Sequence, residues 1–182
     1  MEVELQDLTI SKEPFFYASA NIKNFDSYKN EILDIINTSP YDTQHSGGSY
    51  INKTDFKINE YRPYAKLFTH LINPYHVALN KHLSIPLRKI KINIDNLWFQ
   101  QYTKNDTHTW HTHPKANFSN ILYIEKPEGV HTQFYCPITG NVFYINNLKE
   151  GSVITFPAYM IHRSSENKST ANKTVIVYNS NV

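Results

Sequence analysis

Apolar residues recur along this chain with one period in its first half and another in its second. Phe25, Tyr28, Ile32 and Ile35/Ile36 fall on one face at helical spacing and predict a helix over Phe25 to Asn37, ended by Thr38-Ser39-Pro40. Pro63 opens a second helix whose stripe runs through Tyr64, Leu67, Phe68, Leu71, Tyr75, Ala78 and Leu79, with Pro74 predicting a kink or break inside it. Each amphipathic helix needs a sheet to cover. Between them, Tyr41 to Tyr50 with Gly47-Gly48 reads as a flexible loop, either a connector or a lid near a site. From Leu87 the period becomes two: Ile90, Ile92 and Ile94 alternate with Lys and Asn, and Leu97 to Tyr102 continues the strand.

Further strands are predicted at Asn120–Ile124, Thr132–Tyr135, Val142–Ile145, Ser152–Phe156 and Lys173–Tyr178, separated by turn signals such as Pro127-Glu128-Gly129 and Glu150-Gly151. Short strands at this spacing after helices predict an α+β, mainly β fold, a double-stranded β-helix or jelly-roll barrel with the N-terminal helices packed on one sheet. The 182 residues suit one domain. Residues 1–87 form its supporting strand and helix region, and 88–182 its jelly-roll core.

Composition narrows the class. With 40% hydrophobic, 14% aromatic and 19% charged residues, the chain is that of a folded soluble protein. The formal net charge of +2 is spread without a basic block, so no nucleic-acid footprint is evident. The single cysteine, Cys136, forms no internal disulfide and is expected to be a buried structural thiol in a reducing compartment. The acidic start Met1-Glu2-Val3-Glu4 is unlike a secretory signal, and no stretch approaches the roughly 18 apolar residues of a membrane span. A cytoplasmic protein without a membrane partner is the expectation. Richness in Asn, Ile, Lys and Tyr points to an AT-rich, phage-like genome and then to a host cytoplasm.

The candidate chemistry lies in Trp110-His111-Thr112-His113-Pro114 and in Ile161-His162-Arg163. On an extended segment the His-x-His spacing turns both imidazoles to one face, and closure of a barrel would bring His162 to them. Neutral imidazole suits Zn, Cu, Fe and Ni, and three ligands leave coordination positions open for substrate or oxidant. His45, His70, His76 and His82 read as solvated or packed rings. His108 and His131 read as partners that orient the ligand rings, a support that metal-bound imidazoles usually have. Trp110 and Tyr159 read as wall and packing residues.

Asn105 to Pro114, then Asn120-Ile121-Leu122-Tyr123-Ile124-Glu125, then Glu150 to Pro157, His162, and Lys173 to Asn179 together resemble the iron(II)/2-oxoglutarate-dependent oxygenases. The likeness is greatest to short members of phage and marine microbial origin, related in fold to the prolyl hydroxylases, and it spans roughly Trp98 to Asn179. It implies Fe(II) held by a His-x-Asp/Glu pair and a distal His, with 2-oxoglutarate and O2 in the open positions. The implied reaction is oxidative decarboxylation to succinate coupled to hydroxylation of a C–H bond. Carried over by position, His111 is the first ligand and His162 the distal one, while His113 stands where the family usually has its carboxylate. Three neutral ligands leave the metal more positive. Asp106 and Glu125 are the nearby carboxylates, neither at the usual spacing. Lys173 starts the last strand where the family commonly places the Arg or Lys that pairs with the distal carboxylate of 2-oxoglutarate. Tyr123 matches a family tyrosine that hydrogen-bonds the same carboxylate, and Tyr102 resembles one lining the cosubstrate pocket. A lysine gives a point contact where arginine gives a fork. The plain alternative for Lys173 is a solubilising charge on an edge strand, and Arg163 suits substrate, cosubstrate or a surface carboxylate equally.

Two other readings remain. A cupin-type metal enzyme that does not use 2-oxoglutarate also carries His-x-His and a later His, but usually has a Glu where Lys115, Ala116 and Asn117 stand here. A catalytically silent barrel would serve as a binding or virion-associated protein. The substrate is open among a small molecule, a protein side chain and a nucleobase, because one fold serves many chemistries. The N-terminal helices suit either covering the core or forming a homo-oligomer interface.

Overall fold

The computed structural model describes residues 2–12, 15–58, 61–84 and 89–182. Along them run β1 (Leu5–Ser11), β2 (Tyr17–Ile22), α1 (Asp26–Thr38), β3 (Asp42–Ser46), β4 (Ser49–Thr54), α2 (Ala65–Leu83) and β5 (Asn93–Tyr102). These are followed by β6 (His108–His111), β7 (Phe118–Glu125), β8 (Thr132–Tyr135), β9 (Val142–Tyr144), β10 (Ser152–Pro157), β11 (His162–Ser164) and β12 (Lys173–Asn181). An eight-stranded sheet has the order β1-β2-β10-β7-β12-β5-β4-β3 and a four-stranded sheet the order β6-β11-β8-β9. The fold is mainly β with two helices, and neither sheet closes on itself. Neither helix is long and apolar enough to cross a membrane.

Strand β12 shows how one large sheet serves two cores. Its residues alternate sides. Ile176 and Tyr178 meet the helices, in a core with Ile32, Ile36, Phe68, Leu71 and Tyr75. Val175 and Val177 face the small sheet, in a second core with Trp98, Ile121, Tyr123, Phe134 and Phe156. β12 is buried along nearly its whole length, between β5 and β7.

Several expectations change. Tyr41 to Tyr50 is not a free loop: β3 and β4 pair as a hairpin, with Gly47 and Gly48 at φ of 60° and 76°. Positive φ at both turn positions matches the twist of paired strands, which is why the double glycine makes a hairpin. Helix α2 runs on through Pro74, because Leu71, Ile72, Tyr75 and Leu79 are buried on both sides of it and outweigh the lost backbone bond. The strand predicted from Ile90 begins only at Asn93. Ser84 Oγ and Asn80 Oδ1, at the end of α2, accept the amides of Ile90 and Ile92 at 2.9 and 2.8 Å and draw this stretch off the sheet. Leu87, where the change of period was placed, lies outside the described residues. Cys136 is half-exposed rather than buried, since it opens the turn in which the Gly140 amide donates to its carbonyl at 2.8 Å.

A buried ion pair fixes β5. Asp55, 3% exposed, accepts from Tyr64 Oη and from the Phe99 amide, both at 2.7 Å, and lies 3.1 Å from Arg62 Nε. Burial raises its carboxyl above the usual range, so these donors are what keeps the charge tolerable. Arg62 also donates to Leu97 O at 2.6 Å and to Ile58 O at 2.8 Å. The end of β4 and the segment before α2 are thereby tied to the strand that carries Trp98 and Tyr102. Asp55→Ala removes the carboxylate that Tyr64 Oη, the Phe99 amide and Arg62 share and should lower the unfolding free energy by about 3–5 kcal/mol, read by urea denaturation as a lower midpoint at unchanged slope. A loss under about 1 kcal/mol, the range of an exposed pair, would show that the network does not hold the strand.

Candidate metal centre and its two cavities

His111 on β6 and His162 on β11 stand directly across from each other, and the next pair is Ser164 with His108. Thr109 and Trp110 on β6 therefore stand opposite the single Arg163 on β11, a bulge that gives up strict alternation. Alternation would send His108 away from His111. Instead their rings stack, 3.9 Å between centroids. His113 lies just past β6, its amide bonded to Ala158 O at 2.9 Å and its ring stacked on Trp98 at 5.7 Å.

The ring nitrogens of His111, His113 and His162 lie within 4.8 Å of one another, forming the one such cluster among the described residues. His111 Nδ1 meets Thr109 O at 2.7 Å and His162 Nδ1 meets Met160 O at 2.8 Å. A carbonyl only accepts, so each Nδ1 carries the proton and each Nε2 is left bare. His113 Nε2 is 3.3 Å from His162 Nε2. Burial pushes all three rings toward neutrality: His113 down to about 4, His111 down, and His162 well below its ordinary value. Convergent, uncharged nitrogen lone pairs suit a divalent transition ion. Among the described residues no carboxylate joins them: Asp106 accepts from Thr103 N at 2.7 Å and Thr103 Oγ1 at 2.9 Å, and Glu125 accepts from Thr174 Oγ1. The donor set fits a metal, without the acidic ligand that the resemblance implies.

Lys173 opens β12 directly across from Tyr102. It is 2% exposed, so the edge-strand alternative is excluded. Its Nζ donates to Ser164 Oγ at 2.8 Å and lies 5.2 and 5.9 Å from the ring centroids of Tyr102 and Tyr123. Burial, reinforced by the Lys126 charge, pushes the ammonium down to about 7. Among the described residues no carboxylate pairs with it. The tyrosine hydroxyls are already engaged: Tyr102 donates to Gln100 Oε1 at 2.8 Å, and Tyr123 shares a 2.7 Å bond with Thr132 Oγ1.

Two spaces meet at the histidines. An inner cavity of about 30 Å³ reaches from the cluster to Lys173, Ser164 and Thr132. That is room for a water molecule or two, so a larger ligand must displace side chains. An outer cleft of about 290 Å³ opens on the other side, past His108, His113, Trp98 and Asn179. A larger hollow of about 690 Å³, between β2 and the segment around Asn146, contains none of the histidines.

Of the other expected residues, Arg163 borders the inner cavity, whereas His131 and Tyr159 line neither space. Arg163 donates to Gln133 Oε1 at 2.7 Å and lies over the Trp110 ring at 4.5 Å, so Trp110 supports a cation at the surface. His131 stacks on Tyr144 at 4.0 Å and does not touch the cluster. Tyr159 is 75% exposed and packs no wall. Ser164, Gln100, Thr132 and Trp98 were not singled out from the sequence. Trp98 and Gln100 share the period of two with Tyr102, which would have placed them on its face.

No family model matches this chain, and no curated protein is similar to it in sequence. Its fold is found in solved structures. A 2OG-Fe(II) oxygenase family protein from Burkholderia pseudomallei is 12% identical, with a TM-score of 0.65 over 84% of this chain and 77% of that one. A Pseudomonas putida prolyl-4-hydroxylase is 9% identical, with a TM-score of 0.62 over 91% and 92%. HygX from Streptomyces hygroscopicus, solved with nickel, 2-oxoglutarate and hygromycin B bound, is 9% identical, with a TM-score of 0.58 over 91% and 82%. At this identity the likeness is one of architecture, and the architecture of this chain is that of the 2OG-Fe(II) oxygenases.

Proposed function

We propose that this protein is a metal-dependent 2-oxoglutarate oxygenase, with His111, His113 and His162 as metal ligands and the two facing sheets as a double-stranded β-helix. The observation that carries this reading is Lys173, a buried ammonium that meets no carboxylate among the described residues, at the end of the cavity that the three imidazoles close. A buried cation is costly unless an anion meets it. The distal carboxylate of 2-oxoglutarate would pair with Lys173 and accept from Ser164, its carbon chain lying along Tyr102 and Tyr123. When bound, the metal supplies activation of O2 with 2-oxoglutarate as reductant, yielding succinate, carbon dioxide and a hydroxylated C–H bond in the substrate. The protein's own part is to hold three lone pairs at one point, neutralise a buried carboxylate and exclude water. The all-imidazole donor set favours one second reading, a metal enzyme of cupin type that does not take 2-oxoglutarate. A cytoplasmic setting fits the oxygenase reading.

An anaerobic titration of the Fe(II)-loaded protein with 2-oxoglutarate should produce the visible charge-transfer band of a chelated complex. Lys173→Ala should weaken the binding by about 10- to 100-fold, the worth of a charge-assisted hydrogen bond. Iron uptake without a band would favour the second reading. His111→Ala and His162→Ala should each lose at least about 100-fold in Fe(II) affinity by anaerobic calorimetry, since each removes one of three bonds to the ion. Near-native affinity in either variant would refute the ligand assignment.

The free Lys173 ammonium titrates at about 7, and an anion raises that value, so above neutrality 2-oxoglutarate must bind together with a proton. Affinity should fall as pH rises from 7 to 9, and calorimetry in buffers of different ionisation enthalpy should report proton uptake. Lys173→Arg, which stays charged throughout, should bind without that uptake.

A further inference from the structure

The inner cavity and the outer cleft share Trp98, Gln100, His108, His111 and His113, so the histidines stand between them. Neither space is lined by an Asp or a Glu. The carboxylates of Asp106 and Glu125 are held instead by Thr103 and Thr174. Lys173 is a buried positive charge on the inner cavity, and Arg163, which also borders that cavity, can only add to it.

The charges around the histidines therefore do not cancel. Three imidazoles are neutral donors, a divalent ion brings two positive charges and Lys173 brings one, while 2-oxoglutarate returns two negative ones. One positive charge is left over. An acidic side chain at position 113 would cancel it, and His113 does not. A buried charge without a partner is costly. At an effective dielectric constant of about 20, a unit charge about 6 Å away shifts a binding equilibrium by about 100-fold. The inner cavity, about 30 Å³, has no room for a further ligand beside the cosubstrate, whereas the outer cleft holds about 290 Å³. No Asp, Glu, Lys or Arg lines that cleft, so the field of the centre reaches into it unopposed. Its walls add a neutral donor and a flat apolar surface. Gln100 accepts from Tyr102 Oη at 2.8 Å, which leaves its NH2 to donate, and Phe56 meets Trp98 edge to face at 5.1 Å.

We propose that the outer cleft takes a monoanionic substrate, a carboxylate on a small flat body, whose charge stands in for the acidic ligand that this centre lacks. The inference rests on the proposed metal centre, and on the oxygenase reading in calling this ligand the substrate. The probe is benzoate, compared with neutral benzamide and cationic benzylammonium. Each is titrated by calorimetry into the full chain loaded with Zn(II), a redox-inert ion that imidazoles bind, with and without 2-oxoglutarate. Benzoate should bind at least about 10-fold more tightly than either comparator in both conditions, and that preference should shrink at least about 5-fold in the metal-free protein. Gln100→Glu, which puts a carboxylate of the same shape between the two spaces, should weaken benzoate at least about 10-fold more than benzamide. His113→Asp should do the same by restoring an acidic ligand. Circular dichroism and zinc content identify which variant is folded and loaded, and either one suffices. Benzamide binding as tightly as benzoate, a preference unchanged in the folded variants, or displacement of benzoate by equimolar chloride overturns the proposal. If 2-oxoglutarate binds in that same protein, the oxygenase reading survives the failure. A zinc-loaded protein that prefers benzoate but fails to bind 2-oxoglutarate supports the anion cleft and defeats the oxygenase reading, and a chain that takes up no zinc overturns both.

Discussion

The pairing of β12 with β5 on one side and β7 on the other is the constraint from which the site follows. Its register sets Lys173 across from Tyr102 and Asn179 across from Asn96, with valines between. One face of one strand thus runs from an ammonium through hydrocarbon to an amide. At about 3.3 Å per residue, the six steps from Lys173 to Asn179 cover about 20 Å. A slip of a single residue would exchange this face with the one that packs on the helices. The cation would then lie under α2, and Ile176 and Tyr178 would face the histidines. The burial of Ile176 and Tyr178 among the helix side chains therefore also defends the chemistry.

The small sheet contributes differently. Its strands are short, and its precision comes from a bulge and two local hydrogen bonds. The bulge turns His108 onto His111. Dehydration keeps the imidazoles uncharged, the form in which nitrogen is a ligand. Low polarity thus acts in opposite senses across one cavity. It favours the working form of the histidines, and it opposes the charge on Lys173 until an anion arrives.

Much of this was legible in the chain, for stated reasons. The stripes of Ile32/Ile36 and Phe68/Leu71/Tyr75 announced two helices and the need for a sheet. The unbroken apolar run from Val175 to Tyr178 announced a strand, and its lack of alternation agrees with the burial of both its faces. What stayed hidden has physical causes. β2 alternates through Ala18 and Ala20, too small to stand out as an apolar period. β6 and β11 are too short to show any period. The Gly47-Gly48 pair carried hairpin chemistry, but β3 before it is polar and mostly exposed, so the turn was read as a loop. His-x-His marked a shared face, yet no local rule indicates a bulge at His108. Nor does a sequence reveal that no acidic side chain lines either space at the histidines, since that depends on every neighbour at once.

The two imidazoles that face each other across β6 and β11 are both steered by carbonyls two residues earlier in their own chain, at Thr109 and Met160. Every amino acid supplies the same carbonyl. Positions 109 and 160 can therefore drift through many residue types while the lone pairs keep their aim. The orientation of this centre is inherited with the path of the backbone, and it can persist through divergence deep enough to erase the likeness between sequences.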